Sequence, residues 1–369
     1  MTFQNGKLDR SDVEIVKGLR KHGPRSLLKV AGYIGLPSST IYDRFNGLYD
    51  YERNHPDIVS ISPEINWPAL GLQYRIAVVV GYADRESMIE ASLTEMPHVL
   101  KWRKANSTSP IYLVEAIDPK DLESEETKTS TKNASIFEQN LRCMKSERVV
   151  AKSETFDVHD FAWPCSFTDY DKIIRTKTGW ELGRLRKPIY YLQKTLTASS
   201  DFSVSRPYCI GFDRTDVVII SELMKNPSIT FADLTKIVDI TLQGVKYRYD
   251  NHLVRSRVLR GYGIDARKFE GETSQYSFFV EFSDKEMLCK FINASQDFTL
   301  VSRIGIMNDN RSLIVETEFP GANFVNIFEE LEKEELIEFQ KSEPLHFSRN
   351  SKSFTRSLDP VLFAGQKGI

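Results

Sequence analysis

The chain has 369 residues, enough for two or more domains, and its 41% hydrophobic and 27% charged residues are ordinary for globular proteins. Its apolar runs are too short to span a membrane and no signal segment opens it, so we expect a cytoplasmic protein without membrane contact. The formal net charge of −2 excludes a surface that binds polyanions everywhere, so any nucleic-acid contact must come from local patches.

The first predicted element is a helix in residues 8–19, LDRSDVEIVKGL, which Asp9 can cap and whose apolar residues share one face. The break KHGPR at 21–25 separates it from a short second helix at 26–35. A tight turn follows, and a third helix begins near Ser38. Three short helices with a tight turn between the second and third predict a helix-turn-helix unit.

The segment 58–72 then predicts a short β-hairpin and a connector. Alternation and β-branched content predict further elements in the order strand, helix, strand, strand, helix, strand, at residues 73–83, 84–96, 98–106, 110–117, 135–146 and 148–156. This βαββαβ order is that of a ferredoxin-like unit, an antiparallel sheet with helices on one face. Its open face needs a cover, which a second copy in the chain can provide.

The second half repeats both patterns. Residues 212–223, FDRTDVVIISEL, match 8–19 at an offset of 204. The identities at this offset include Asp9/Asp213, Asp12/Asp216, Leu19/Leu223 and Arg44/Arg248. After another predicted hairpin, the βαββαβ order returns at residues 274–282, 284–295, 298–307, 311–319, 323–336 and 337–344. A repeat of this long period indicates duplicated domains.

We therefore predict an α+β chain in which two winged helix-turn-helix domains alternate with two ferredoxin-like βαββαβ domains, the two sheets packing on each other. The predicted boundaries are 1–60 and 61–160 for the first pair of domains, 161–208 for a connector, 209–268 and 269–348 for the second pair, and 349–369 for a C-terminal tail.

The stretches LDRSD, AGYIGLPSSTIYDRF, ISPEINWPALGL and GYGIDARKF, together with the order of elements, resemble the leucine-responsive regulatory protein / AsnC family of prokaryotic regulators. The resemblance covers most of the chain as two fused copies. It implies a sequence-specific DNA-binding transcriptional regulator that acts as an intramolecular pseudo-dimer, because members typically bind double-stranded DNA as dimers joined through the ferredoxin-like domains. Many members sense amino acids in those domains. Here KANSTSP (104–110) and MNDNR (307–311) match poorly the Gly-x-x-Asp-like turn of the family. Whether the chain binds an amino-acid effector therefore stays open. Whether it forms a homo-oligomer stays open as well.

The candidate DNA-binding residues lie in and after the two third helices. They are Ser38, Ser39, Thr40, Tyr42 and Arg44 in the first half, and Gln243, Lys246, Tyr247, Arg248, Asn251, Arg255, Arg257 and Arg260 in the second. Arg44 and Arg248 suit phosphate contacts, with ion pairs to acidic residues of the first helix as the alternative. The amides can read adenine edges or be simply exposed.

Charge separates the two third helices. Residues 241–260 contain five arginines and lysines against Asp250, a net of +4, whereas residues 37–53 contain Arg44 and Arg53 against Asp43, Asp50 and Glu52, a net of −1. Since phosphate contacts supply much of the affinity for DNA, we expect the second half to bind DNA more tightly.

The sequence predicts no enzyme, no cofactor and no metal site. Its four cysteines lie far apart, and no histidine lies at ligand spacing. Two alternatives stay open: a sirohaem decarboxylase-like enzyme on the same scaffold, or a scaffold that binds an effector or a protein and not DNA. The enzyme would need a cationic or histidine-bearing pocket at the sheet interface. His98 begins a strand there, but its counterpart in the second half is Phe298.

Overall fold

The computed structural model describes residues 10–48, 59–70, 72–119, 135–162, 212–266, 273–295, 301–309, 311–320, 345–348 and 351–356. The predicted helix at 323–336, the predicted strand at 337–344 and nearly all of the connector lie outside these residues. None of the helices within these ranges is long and apolar enough to cross a bilayer.

The helices of the described residues are α1 (Arg10–His22), α2 (Leu27–Ile34), α3 (Ser38–Leu48), α4 (Glu86–Glu95), α5 (Ile136–Ser146), α6 (Arg214–Lys225), α7 (Phe231–Val238), α8 (Leu242–Tyr247) and α9 (Lys285–Ser295). The strands are β1 (Val59–Ile65), β2 (Leu72–Gly81), β3 (Val99–Lys104), β4 (Ile111–Pro119), β5 (Val150–Ala162), β6 (Leu259–Ala266), β7 (Thr273–Glu281), β8 (Val301–Met307), β9 (Ser312–Pro320), β10 (Leu345–Ser348) and β11 (Ser353–Thr355).

Helices α1–α3 and α6–α8 form the two predicted helix-turn-helix units. In each, the turn between the second and third helices begins at a residue in the left-handed region, Gly35 with φ 73° and Asp239 with φ 51°. Asp213 and Asp216 form a capping box on α6, and the Thr241 side chain caps α8. Helix α8 continues without a break as a π-helix, Arg248–Arg255.

The segments after the two units do not form the predicted hairpins. Instead, β1 pairs antiparallel with β6, from Val59 opposite Ala266 to Ile65 opposite Leu259. Helix α1 packs against β6, the strand of the other half, and α6 packs against β1. The two helix-turn-helix units are therefore joined by a shared two-stranded ribbon.

Nine of the described strands form one sheet in the order β10-β7-β9-β8-β5-β2-β4-β3-β11. The strands of the first half follow the order β5-β2-β4-β3, and those of the second half follow β10-β7-β9-β8. Pairing of β5 with β8 joins the two sets edge to edge. Strand β11 lies in the predicted C-terminal tail and pairs with β3, so the segment after β10 returns to the first half.

The sheet of the first half has two different faces. One packs against α4 and α5 through Ile89, Leu93, Phe137 and Leu141. The other faces the second half, where the rings of Phe156 and Phe279 lie 4.6 Å apart between centroids. As predicted, the sheets of the two halves pack on each other within the chain. Their continuity through β5 and β8 was not predicted.

Candidate nucleic-acid interface

A polar stripe runs along the third helix of the second unit and its π-helical continuation. Gln243, Tyr247, Asn251 and Arg255 recur every four residues, which places them on one side of the helix. Tyr247 is 60% exposed. Asn251 Nδ2 donates to the Tyr247 carbonyl oxygen at 3.0 Å, and Arg255 donates to Asn251 Oδ1 at 2.7 Å. These four residues are called the polar stripe below.

The polar stripe combines the groups that DNA recognition needs. Gln243 and Asn251 carry amides, which suit adenine edges, and Arg255 carries a guanidinium that suits phosphate or guanine. Lys246 is exposed one residue before Tyr247. Four of the candidate residues therefore lie on one side of the helix, with Lys246 exposed beside them.

Arg248 points back into its own unit. Its guanidinium donates to both carboxylate oxygens of Asp213 at 2.7 Å and to Asp216 Oδ1 at 3.1 Å. Burial opposes the charged form of Arg248, but the hydrogen bonds to Asp213 and Asp216 raise its pKa. His252 Nδ1 lies 2.9 Å from Asp216 Oδ2, and the Asp216 side chain is fully buried. Asp216 therefore fixes both residues against α6.

Arg44 has the matching position in the first unit and makes the matching contact. Its guanidinium donates to Asp12 Oδ1 at 2.8 Å, across to α1. For Arg44 and Arg248, the structure thus has the helix-to-helix ion pairs that the sequence left open as the alternative to phosphate contacts. The sequence signal for these pairs was the repeated spacing Asp12…Arg44 and Asp216…Arg248.

Two further arginines of the predicted basic patch lie away from the stripe. Arg260 on β6 forms an ion pair with Asp160 at 2.7 Å and donates to the Phe161 carbonyl oxygen at 3.0 Å. It therefore ties the ribbon to β5. Arg257 is exposed in the turn after the π-helix and has φ 60°. The net charge of +4 counted along the sequence consequently overstates the charge that α8 presents outward.

The first unit presents a different surface. At the offset of 204, the positions of Gln243, Tyr247 and Asn251 are those of Ser39, Asp43 and Gly47. Among the other predicted contacts, Tyr42 is 47% exposed, and Ser38 and Thr40 are half-buried in the first turn of α3. The first unit therefore has short side chains and a carboxylate where the second has amides and an aromatic ring.

A second charged cluster lies between the sheets. Arg303 on β8 donates to Glu115 on β4 at 2.7 and 2.9 Å and to Glu316 on β9 at 3.0 Å. Arg103 pairs with Glu316, and the Tyr74 hydroxyl donates to Glu115. Burial opposes ionisation of Glu316, but Arg103 and Arg303 lower its pKa to about 2. Arg103, Arg303, Glu115 and Glu316 are called the interface cluster below.

Residues 212–251 match the family described as winged helix-turn-helix DNA-binding. The second unit is a winged helix-turn-helix. No curated protein sequence matches the chain.

Several solved structures are similar to the chain. The siroheme decarboxylase NirDL matches 92% of this chain and 91% of its own, at 13% identity and a TM-score of 0.49. A transcriptional regulator from Neisseria meningitidis, solved with L-Met, matches 48% of this chain and 99% of its own, at 20% identity and a TM-score of 0.30. A transcriptional regulatory protein of the AsnC family from Pyrococcus furiosus matches 42% and 91%, at 17% identity and a TM-score of 0.30.

The prediction that the chain is not an enzyme is wrong. The finding against it is the match of 92% of the chain with a siroheme decarboxylase. The likeness is one of fold, and it assigns no reaction to this chain. Among the described residues, no group of three or more histidine, cysteine, aspartate and glutamate side chains is arranged to hold a metal ion.

Proposed function

We propose that the chain is a sequence-specific DNA-binding transcriptional regulator of the leucine-responsive regulatory protein / AsnC type. In this proposal two winged helix-turn-helix domains alternate with two ferredoxin-like domains, with the boundaries given above, and the chain acts as an intramolecular pseudo-dimer. The second helix-turn-helix unit supplies most of the affinity for DNA.

The observation that carries the proposal is the polar stripe on the third helix of a unit that matches a DNA-binding family. In such units the third helix lies in the major groove, and its exposed side chains contact base edges. Gln243 and Asn251 supply amides there, while Lys246 and Arg255 supply positive charge for the phosphates. Arg44, Arg248 and Arg260 support the scaffold through their ion pairs and are not assigned to DNA.

The pseudo-dimer part of the proposal is supported by the connections between the halves. The β1–β6 ribbon links the two helix-turn-helix units, and the strand orders β5-β2-β4-β3 and β10-β7-β9-β8 correspond strand by strand. Because the two third helices differ in sequence, we expect two unequal half-sites, an imperfect palindrome at best. Selection of bound sites from random DNA tests this, and recovery of a symmetric site would contradict it.

The affinity for DNA is tested by titrating the selected site at several salt concentrations. For Lys246→Ala combined with Arg255→Ala, the slope of log affinity against log salt should fall by about two, because each lost phosphate contact removes about one unit. Arg142→Ala combined with Lys152→Ala is the matched control, since both side chains are more than 70% exposed and lie on α5 and β5. An equal fall in slope for both double variants would contradict a DNA-binding face on α8.

The decarboxylase-like alternative needs cations that can receive the carboxylates of a tetrapyrrole. At the sheet interface Arg103 and Arg303 are engaged by Glu115 and Glu316, so these residues do not fit such a substrate in this arrangement. Because these arginines are already paired, the proposal includes no amino-acid effector at the sheet interface. Haem-type absorbance of the purified protein, lost in Arg303→Met, would favour the enzyme.

A further inference from the structure

One arginine of the first helix-turn-helix unit is inserted into the second unit. Arg25 lies in the short 3-10 turn Pro24–Ser26 between α1 and α2. Its Cζ lies 4.0 Å from the centroid of the Phe231 ring and 4.5 Å from that of the Tyr249 ring. Phe231 begins α7 and Tyr249 belongs to the π-helix after α8. A single guanidinium therefore contacts the rings of two helices in the opposite unit.

The contact extends to the ribbon. The hydroxyl groups of Tyr249 and Tyr262 lie 3.0 Å apart, and Tyr262 belongs to β6. The Tyr262 ring in turn packs on Gly23, where a Cβ atom would lie 2.3 Å from it. Gly23 also has φ 73°, so the residue that precedes the Arg25 turn is restricted to glycine by both conformation and space.

Arg25 is not available to DNA. Both of its terminal nitrogens are buried and have no hydrogen-bond partner within the described part of the chain. Burial is the main cause that lowers its pKa. Two desolvated guanidinium nitrogens without hydrogen bonds are costly, and the faces of two aromatic rings offset that cost here. A planar group can lie against both rings, which an ammonium group on a flexible chain cannot reproduce.

Within the described residues, the first unit alone contributes such a junction. At the offset of 204 the residue that corresponds to Arg25 is Ile229, a buried apolar residue of the second unit. Arg25 is thus a feature of the first unit alone, which lacks the polar stripe. Its contacts hold the first unit to the third helix of the second.

We infer that Arg25 is a positioning residue that holds the two helix-turn-helix units at one separation and so sets the spacing of the half-sites that the chain accepts. This inference rests on the proposed function. Two third helices can enter successive major grooves on one side of a duplex only when they are separated by about 34 Å, one helical turn. A junction that fixes the separation makes affinity depend on spacing, and a loosened junction makes it less dependent.

The test measures affinity for duplexes that carry the two selected half-sites at spacings from three base pairs fewer to three more than the optimum. For the wild type we expect affinity to fall about tenfold at the extremes, and for Arg25→Met no more than about threefold. Arg25→Lys keeps the charge without the planar group and should resemble Arg25→Met. Lys29→Met removes one charge from an exposed position of α2 and should keep the wild-type profile.

Two further measurements keep the test decisive. Phe231→Leu removes one of the two rings from the opposite unit and should broaden the spacing profile as Arg25→Met does, even if the latter folds poorly. Without DNA, hydrogen exchange of the backbone around Ser26 and Tyr249 should be faster in Arg25→Met than in wild type or Lys29→Met. This arm does not depend on the proposed function.

The following results would overturn the inference or the proposed function. An unchanged spacing profile in Arg25→Met and Phe231→Leu, or a loss of affinity that is uniform over all spacings, overturns the inference. A wild-type affinity that does not change with half-site spacing overturns it as well, because the separation of the two units then has no effect on binding. If the wild type binds no DNA, the proposed function fails, and unchanged hydrogen exchange in Arg25→Met would show separately that Arg25 does not hold the units together.

Discussion

The two third helices have the same scaffold and different outer surfaces. In each unit an arginine of the third helix reaches back to an aspartate of the first, Arg44 to Asp12 and Arg248 to Asp213 and Asp216. On the outside, by contrast, α3 presents short and acidic residues, and α8 with its π-helix presents the polar stripe. The paired arginines maintain the fold in both units, and we expect the outer surfaces to decide which unit binds DNA.

The largest expected effect comes from exchanging these surfaces. In the triple variant Gln243→Ser, Tyr247→Asp, Asn251→Gly, the second unit receives the residues of the first. We expect affinity for the selected site to fall at least about a hundredfold, because two amide contacts are lost at about 1–3 kcal/mol each and a carboxylate is placed near the phosphates. Fluorescence anisotropy with labelled duplex measures this.

The reciprocal triple variant, Ser39→Gln, Asp43→Tyr, Gly47→Asn, is the control for that exchange. It should leave affinity unchanged or raise it, since it removes a carboxylate from α3 and adds amides. If the reciprocal variant loses as much affinity as the first, α3 and not α8 is the main DNA-binding helix, and the comparison of the two units is reversed.

The paired arginines should differ in their contribution to the free energy of unfolding. Arg248→Met leaves the fully buried Asp216 carboxylate with His252 and the Asp213 backbone N–H, and it removes two hydrogen bonds from the Asp213 carboxylate, so we expect a loss of about 2 kcal/mol. Arg44→Met removes the contact with Asp12 at a side chain that is 32% exposed, against 23% for that of Arg248, and we expect a loss of about 1 kcal/mol. Urea unfolding followed by circular dichroism measures both. Equal losses would show that the deeper burial of the Arg248 ion pairs adds nothing.

The elements of both units were predictable because they depend on local patterns. Apolar periodicity located α1–α3 and α6–α8, and side-chain oxygens at Asp213 and Thr241 marked two helix starts. The ionic partner of Arg248 was only one of two alternatives, since a sequence does not show whether a guanidinium points outward or back.

Contacts between distant segments were not predictable. A strand of period two gives its faces but not its partner, so β1 was assigned to a hairpin, although it pairs with β6 some 200 positions away. The insertion of Arg25 between Phe231 and Tyr249 depends on that ribbon, and a basic residue in such a unit suggests a phosphate contact instead. The exposed positions of α8 were therefore easier to predict from the sequence than the way in which the units are joined.

The starts of the third helices allow a smaller comparison. Thr241 Oγ1 accepts a hydrogen bond from the Gly244 backbone N–H at 3.1 Å, whereas α3 begins at Ser38 after Pro37, which has no side-chain acceptor. Thr241→Ala should therefore lower the free energy of unfolding by about 1 kcal/mol, and Ser38→Ala by a few tenths. The same urea titration measures both. A larger loss for Ser38→Ala would mean that its hydroxyl has a role that the helix start does not explain.

The smallest expected effect is the pH dependence of the stability that Arg248→Met removes. Burial opposes ionisation of Asp213, but hydrogen bonds from Arg248 and from the backbone of α6 lower its pKa below the ordinary value of about 3.9. A lowered pKa in the folded state contributes stability that is present above the unfolded pKa and is lost as pH falls through the folded pKa. The penalty of Arg248→Met should therefore be constant from pH 7 to about pH 5 and should shrink as pH falls below about 4. Because both proteins share the interface cluster, its own acid response cancels in the difference between wild type and variant. Urea titrations of the two at pH 7, 5 and 3.5 give that difference, and a penalty that grows on acidification would show that the Asp213 carboxylate does not stabilise the pair.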